Sequence, residues 1–382
     1  MDLTIDQAAL SRALRLVARV TPTKGILPIF QMVLLDAEQD RLTLGATDGE
    51  LGLAITLASQ VATPGRTAIP ARLLNDFTSE LPAEPVRLER DGDQQRVRLT
   101  CGRFVAHLAT TDPDDFPTFP PPDEAGALDL DAARLRAAIA RVVFAASRDE
   151  ARPALTGILF DRSGDELTLA AADGFRLARA CLPEAGSSAE PWLVPARAVG
   201  EFGRLLVDVE AARLIPTADG QGVYFVARET SLFTRLIADR FPDIQKVIPQ
   251  DSRTRVTVET AVFRQAVRIA GLFGSGEARP VLLNATTSGL HLQARGDETG
   301  NAETDVSANL DGEPQAVVLN TRLLTDVLDA ARSPQLELAW SSPQTPVVIR
   351  EAGKPETSDL WVTMPLYDAA LLHQAPEAAA AA

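Results

Sequence analysis

Hydrophobic and polar positions follow two periods along this chain, and the two succeed each other in a fixed order. Leu3 and Ile5 flank polar Thr4, the period of a half-buried strand. Ala8, Leu10, Leu14, Val17 and Ala18 then fall on one face at helical spacing, behind an acidic helix start at Asp6. Leu42-Thr43-Leu44 and Leu51-Gly52-Leu53-Ala54-Ile55 read as strands around Thr47-Asp48-Gly49, and Asp-Gly is a strong hairpin signal. A second helix is predicted after Pro70, over residues 71–81, followed by a β-rich stretch from Val86 to Leu108.

The same order returns at a constant offset of 125 residues, the signature of internal repetition. Asp48-Gly49 becomes Asp173-Gly174, Ile69-Pro70-Ala71-Arg72 becomes Val194-Pro195-Ala196-Arg197, and Asp115-Phe116-Pro117 becomes Arg240-Phe241-Pro242. A third copy is weaker. Leu319-Asn320-Thr321-Arg322 keeps the phase and Val256-Thr257-Val258-Glu259 opens another helical run, with Asp131 and Glu259 in the place of Asp6. Three domains follow, at 1–124, 125–251 and 252–367, with a low-complexity tail over 368–382 expected to be disordered. The Pro-rich stretches Asp112 to Asp123 and Phe241 to Pro249 read as linkers. Two helices and about eight strands per copy imply an α+β domain with helices on one face of antiparallel sheet.

Charge changes the picture. The net charge is −15, which argues against a protein that grips nucleic acid tightly. Its distribution is uneven, however. The first helical runs carry Arg12, Arg15, Arg19, Arg134, Arg136, Arg141, Arg148, Arg264 and Arg268, against the acidic starts Asp6, Asp131 and Glu259. This reads either as a surface that touches phosphates without reading bases, or as ordinary solvated helix faces. Cys101 and Cys181 have no metal or redox spacing and suit a reducing cytoplasm. No signal peptide or transmembrane run is evident. No Walker loop, nucleophile elbow or His-Glu-x-x-His motif occurs, and His107, His291 and His373 are scattered. An enzyme, a metal site and a cofactor are therefore not expected.

In order and phase the chain resembles the bacterial β sliding clamp family, the β subunit of DNA polymerase III. The carriers are Leu27-Pro28-Ile29, Thr47-Asp48-Gly49-Glu50 and Pro70-Ala71-Arg72 in copy one. Copy two offers Leu155-Thr156-Gly157-Ile158-Leu159-Phe160, Ala172-Asp173-Gly174-Phe175-Arg176-Leu177 and Arg240-Phe241-Pro242-Asp243; copy three ends in Val362-Thr363-Met364-Pro365-Leu366. The resemblance implies three clamp domains per chain and a head-to-tail homodimeric ring of pseudo-six-fold symmetry around double-stranded DNA. Such a ring is a processivity factor tethering polymerase subunits, a clamp loader and other proteins by short peptides.

Three site classes follow from the resemblance. DNA contact falls on Lys24, Arg72, Arg152 and Arg197. The peptide pocket falls on Leu155, Ala172, Gly174, Phe175, Arg176, Leu177, Pro242, Lys246, Val247, Pro346, Val362 and Met364. At the ring interface Leu108 is expected to meet Leu272 and Phe273, and Arg96, Arg98 and Arg103 to face Asp297, Glu298, Glu303 and Asp305. Truncation before Val362 is expected to weaken the pocket and spare the ring. The chain departs from the family's usual Thr at Ala172, His or Tyr at Phe175 and aromatic at Ala106, and it extends beyond Pro365. Altered peptide preference and a weaker dimer follow. The alternative is a diverged adaptor that binds partner peptides without closing on DNA.

Overall fold

The structure is a computed structural model and describes residues 1–22, 27–90, 95–162, 166–183, 190–274, 276, 278–296, 300–355 and 359–372. Among the described residues the six longer helices fall two to each repeat: α1 (Gln7–Val20) and α2 (Ala71–Glu80), α3 (Ala132–Val142) and α4 (Ala196–Leu205), α5 (Thr260–Phe273) and α6 (Thr321–Ala330). All the strand pairings are antiparallel. This is the α+β architecture that the periodicity predicts.

The chain divides into two compact units, Met1–Ala133 with Glu201–Leu236, and Arg134–Gly200 with Ile237–Ala382. The division runs through the middle repeat, because the sheets do not stop at the repeat junctions. In the first unit, strand Leu51–Ala58 of copy one pairs with Thr230–Arg235 of copy two, extending an eight-stranded sheet. In the second, Arg176–Leu182 of copy two pairs with Leu360–Thr363 of copy three within a nine-stranded sheet. A five-stranded sheet completes the first unit, with Phe104–Ala109 at one edge; a four-stranded sheet completes the second, with Gly300–Val306 at one edge.

Helix α1 forms where the sequence predicts and packs on α2 and on strands Arg41–Thr47 and Leu51–Ala58. Asp6 accepts a hydrogen bond from the Ala9 amide at 2.8 Å, satisfying an otherwise orphan donor of the first turn. The apolar stripe differs at its ends. Leu10, Leu14 and Val17 are buried with Ala13 and Val20, whereas Ala8 and Ala18 face solvent. At Glu259 the side chain makes no cap bond, so an acidic residue marks that helix start without capping it.

The Asp-Gly turns form alike in both copies. Asp48 Oδ1 accepts from the amides of Glu50 and Leu51, and Asp173 Oδ1 from those of Phe175 and Arg176. Gly49 and Gly174 take φ of 101° and 93°, a region costly for residues with a Cβ. The first linker is held down. Thr111 exchanges two backbone bonds with Ala68, and the Ala218 amide donates to the Pro121 carbonyl. Within the stretch after position 367, Ala369–Leu372 is a helical turn, and Leu371 packs against Leu282 and Val318 because it is apolar and finds an uncovered sheet face. Residues 373–382 lie outside the described residues.

The N-terminal strand carries a pH-sensitive tie. Arg87 grips Asp2 with two hydrogen bonds, Nε to Oδ1 at 2.9 Å and Nη2 to Oδ2 at 2.7 Å. These bonds hold the Asp2 carboxyl below its ordinary value. A carboxylate depressed by folding stabilises above its unfolded pKa, and that contribution is lost as pH falls through the folded value. Asp2→Asn is therefore expected to lower stability slightly at neutral pH with little change at acid pH, which flattens part of the acid limb. Urea unfolding at about pH 7 and about pH 3 checks this, and an unaltered difference between the two would count against the tie.

Candidate functional site

The strand Arg176–Leu182, the turn before it and the strand Leu360–Thr363 build the central wall of an apolar pocket of about 180 Å3 in the second unit. Leu177 and Val362 stand opposite each other across the pairing, and both are buried. With Ile248, Val348 and Leu360 they form a buried cluster against which Ala172 and Ile244 pack. Leu155, from a short 3-10 turn, Gly174, Phe175 and Arg176 from the hairpin turn, and Met364 complete one side. Pro242 and Val247 from the linker complete the other.

Ten residues assigned to the pocket from sequence thus come together in one cavity. Two do not line it. Lys246 is exposed and pairs with Asp243 at 3.2 Å, because the linker turns its side chain to solvent. Pro346 is outside the lining. Two lining residues were missed, Phe241 and Ile244. The repeat could have supplied Phe241, since Phe116 occupies the same phase in copy one.

Arg176 is the polar hub of the site. Its Nε donates to Asp173 Oδ2 at 2.9 Å, Nη1 to Asp326 Oδ2 at 2.5 Å and Nη2 to the Phe144 carbonyl at 2.6 Å. Its guanidinium also lies 5.2 Å from the Phe144 ring centroid. The side chain is only 12% exposed, so its fork is spent on holding the wall together. Phe175 is the reverse case, 63% exposed, with its carbonyl accepting from the Met364 amide at 2.8 Å. It offers an aromatic face at the pocket mouth.

Beside the pocket lies a wider, polar cleft of about 850 Å3. Arg148, Arg152, Arg176, Arg268, Arg279 and Arg322 line it together with Asp149, Asp173 and Asp326. Leu272, assigned to the ring interface from sequence, is 71% exposed and lines this same cleft. Arg152 lies half-exposed with Asp149 at 3.3 Å.

The remaining assignments scatter. Arg72 and Arg197 are exposed, Arg72 with Asp76 at 3.7 Å on the next turn of its helix. Lys24, Asp297 and Glu298 lie outside the described residues. Arg96, Arg98 and Arg103 are exposed on the hairpin that ends in the edge strand Phe104–Ala109. Glu303 and Asp305 are exposed on the edge strand Gly300–Val306, where Asp305 meets His291 at 2.8 Å. Phe273 is partly buried. Leu108 points into the core opposite Val97, because pleating puts it on the covered face; the exposed large apolar residues of that strand are Phe104 and Val105. Arg141 also departs from expectation, turning to Glu351 and Asp359 and away from solvent. Removing the chain from Val362 onward would cut away half of a strand paired on both sides, so truncation removes part of the sheet along with the pocket.

The N-terminal, central and C-terminal domain models of the DNA polymerase III beta subunit match residues 1–120, 129–243 and 245–366. A beta sliding clamp of Caulobacter vibrioides is 30% identical over 373 residues, covering 96% of this chain and 100% of that protein. The chain belongs to the DNA polymerase III beta subunit family. One from Pseudomonas putida is 29% identical at the same coverage. Among solved structures, a DNA polymerase sliding clamp from Pseudomonas aeruginosa superposes with a TM-score of 0.89 at 27% identity, covering 96% of this chain and 100% of that one. A Pseudomonas aeruginosa sliding clamp bound to griselimycin gives 0.90 at 26% identity, with the same coverage. Family membership thus accounts for the three repeats and their full-length order, and no helix among the described residues is long and apolar enough to cross a membrane.

Proposed function

We propose that this chain is a DNA sliding clamp, a non-catalytic processivity factor of the cytoplasm. Two copies close head to tail around duplex DNA, and the pocket lined by Leu177 and Val362 takes short peptides of polymerase subunits, the clamp loader and other partners. The full-length match to sliding clamps, through all three domain models, is the observation that carries this reading.

The edge strands support the closure. Phe104–Ala109 and Gly300–Val306 each end a sheet, and an open edge is a template for pairing with another chain. The first lies beside exposed arginines and the second carries exposed Glu303 and Asp305. Opposite charge fixes register and encounter more than affinity. Phe104 and Val105 are the apolar contribution we assign to that interface. Contact with DNA falls to Arg72, Arg152 and Arg197 with the exposed arginines of the first helices, against a net charge of −15 that keeps the ring from sticking. An apolar pocket with a few polar groups at its rim suits a peptide with hydrophobic anchors.

Retention on DNA of two topologies tests the ring. Loaded protein is expected to stay on nicked circular DNA through a high-salt wash and to slide off the same DNA once it is linearised. Equal retention on both would refute encirclement and favour the peptide-binding adaptor.

A further inference from the structure

The open pocket has a counterpart at the first repeat junction, built from the same parts. Gly49 with its Asp48 turn corresponds to Gly174 with Asp173, and Phe30, on the 3-10 turn Pro28–Gln31, corresponds to Leu155. Phe116-Pro117 of the first linker corresponds to Phe241-Pro242. The cross-strand pair Leu177 and Val362 has its equivalent in Gly52 and Phe233, at the corresponding seam between repeats. What differs is the occupant. Where the second linker carries Ile244, the first carries Phe119, and the ring of Phe119 lies directly over Gly52.

The fit is close. A Cβ added at Gly52 would stand 2.4 Å from Phe119 Cζ, so only glycine leaves room for the ring. Phe119 also packs on Phe233 with centroids 4.6 Å apart, a normal separation for an interacting aromatic pair. The linker beyond it is pinned by Tyr224, whose hydroxyl donates to the Pro120 carbonyl at 2.8 Å. A cavity of about 270 Å3 remains around the ring. Asp36 lines it, and the buried Oδ1 of Asp36 has no hydrogen-bond partner among the described residues.

We propose that the first junction is a second peptide pocket kept shut by the chain's own Phe119, whose ring stands where a partner's hydrophobic anchor would stand. The inference rests on reading the open pocket as a peptide site. It gives each chain one open pocket and one plugged pocket. Displacing Phe119 exposes a seat for an aromatic anchor, with the free Asp36 oxygen available to a donor on the incoming peptide.

The probe is a synthetic peptide that copies the plug, acetyl-Phe-Pro-Thr-Phe-Pro-amide. Calorimetry reads stoichiometry and hydrogen exchange reads location, on the full chain. The native protein is expected to take one peptide, with protection over residues 172–177 and 362–364. Phe119→Ala is expected to take two, with new protection over residues 51–54 and 231–234. Gly52→Ala tests the same point with the plug still present, because its Cβ expels the ring. Phe119→Leu serves if the other changes unfold the chain, and the same second footprint is expected. Folded variants that gain no protection over 51–54 would overturn the plug. Protection there in Phe119→Ala without any over 172–177 would uphold the plug and reject the open pocket as a peptide site.

Discussion

Arg176→Ala is expected to destabilise the chain by about 3 kcal/mol and to weaken peptide binding at the open pocket by at least about tenfold. The stability figure follows from burial. Arg176 and Asp173 are 12% and 17% exposed, and removing the arginine strands Asp173 and the Phe144 carbonyl in a place water barely reaches. Breaking a buried pair from one side costs about 3–5 kcal/mol. The lower end applies because Asp326 is 45% exposed and can rehydrate. The binding loss follows from position: without the fork, the turn that presents Gly174 and Phe175 is no longer held to α6. Arg176→Lys keeps the charge but offers no planar fork, so it should fall between the two. Thermal unfolding and fluorescence anisotropy with a labelled clamp-binding peptide check both effects. A variant with native affinity would sink the assignment of Arg176 to the pocket wall. A double-mutant cycle with Asp326→Asn should show non-additive losses, since the two share one contact.

The second large effect is expected at Arg141. Its guanidinium bonds Glu351 and Asp359, and its own carbonyl accepts from Trp361 Nε1 at 3.0 Å. Glu351 is 6% exposed and also accepts from the amides of Arg332 and Ser333, while Asp359 accepts from that of Cys181. Arg141→Ala would leave two carboxylates buried together without a cation. A loss of about 3–4 kcal/mol is expected, read as a lower urea midpoint. The triple change Arg141→Leu, Glu351→Gln, Asp359→Asn should recover most of it, since removing all the charges avoids the uncompensated burial. DNA retention of the folded Arg141→Ala ring, and its salt slope, should match the native protein, unlike the shallower slope expected on losing a phosphate contact. A shallower slope for Arg141→Ala would show that this side chain reaches phosphate.

These two arginines mark where the sequence is legible and where it is not. The hairpin turns, the caps at Asp6 and Asn320, and the phase of the repeats depend on neighbours a few residues apart, so they can be read from the chain directly. The pocket was largely legible because it hangs on one such turn. Arg141 was not, because its partners lie 210 and 218 residues further along. From the sequence it looks like any other arginine on a basic helix. Leu108 illustrates a finer limit. In Phe104–Ala109 the alternate set Phe104, Ala106 and Leu108 is apolar throughout, yet Phe104 is exposed and Leu108 buried, so composition alone does not say which of them is covered. The register with Val97 decides it, and register depends on pairing. The two compact units were illegible for the same reason. The repeat period describes how the sequence recurs, whereas the units reflect strand pairing between copies.

That pairing bears on how the chain is made. Until residues 230–235 leave the ribosome, strand Leu51–Ala58 has no partner on its outer side. Strand Arg176–Leu182 must likewise wait for Leu360–Thr363, almost the end of the chain. Synthesis at roughly 5–20 residues per second leaves each of these hydrophobic edges open for many seconds. The nascent chain therefore passes through stages in which a finished sequence repeat is an unfinished sheet, and chaperones would meet it there.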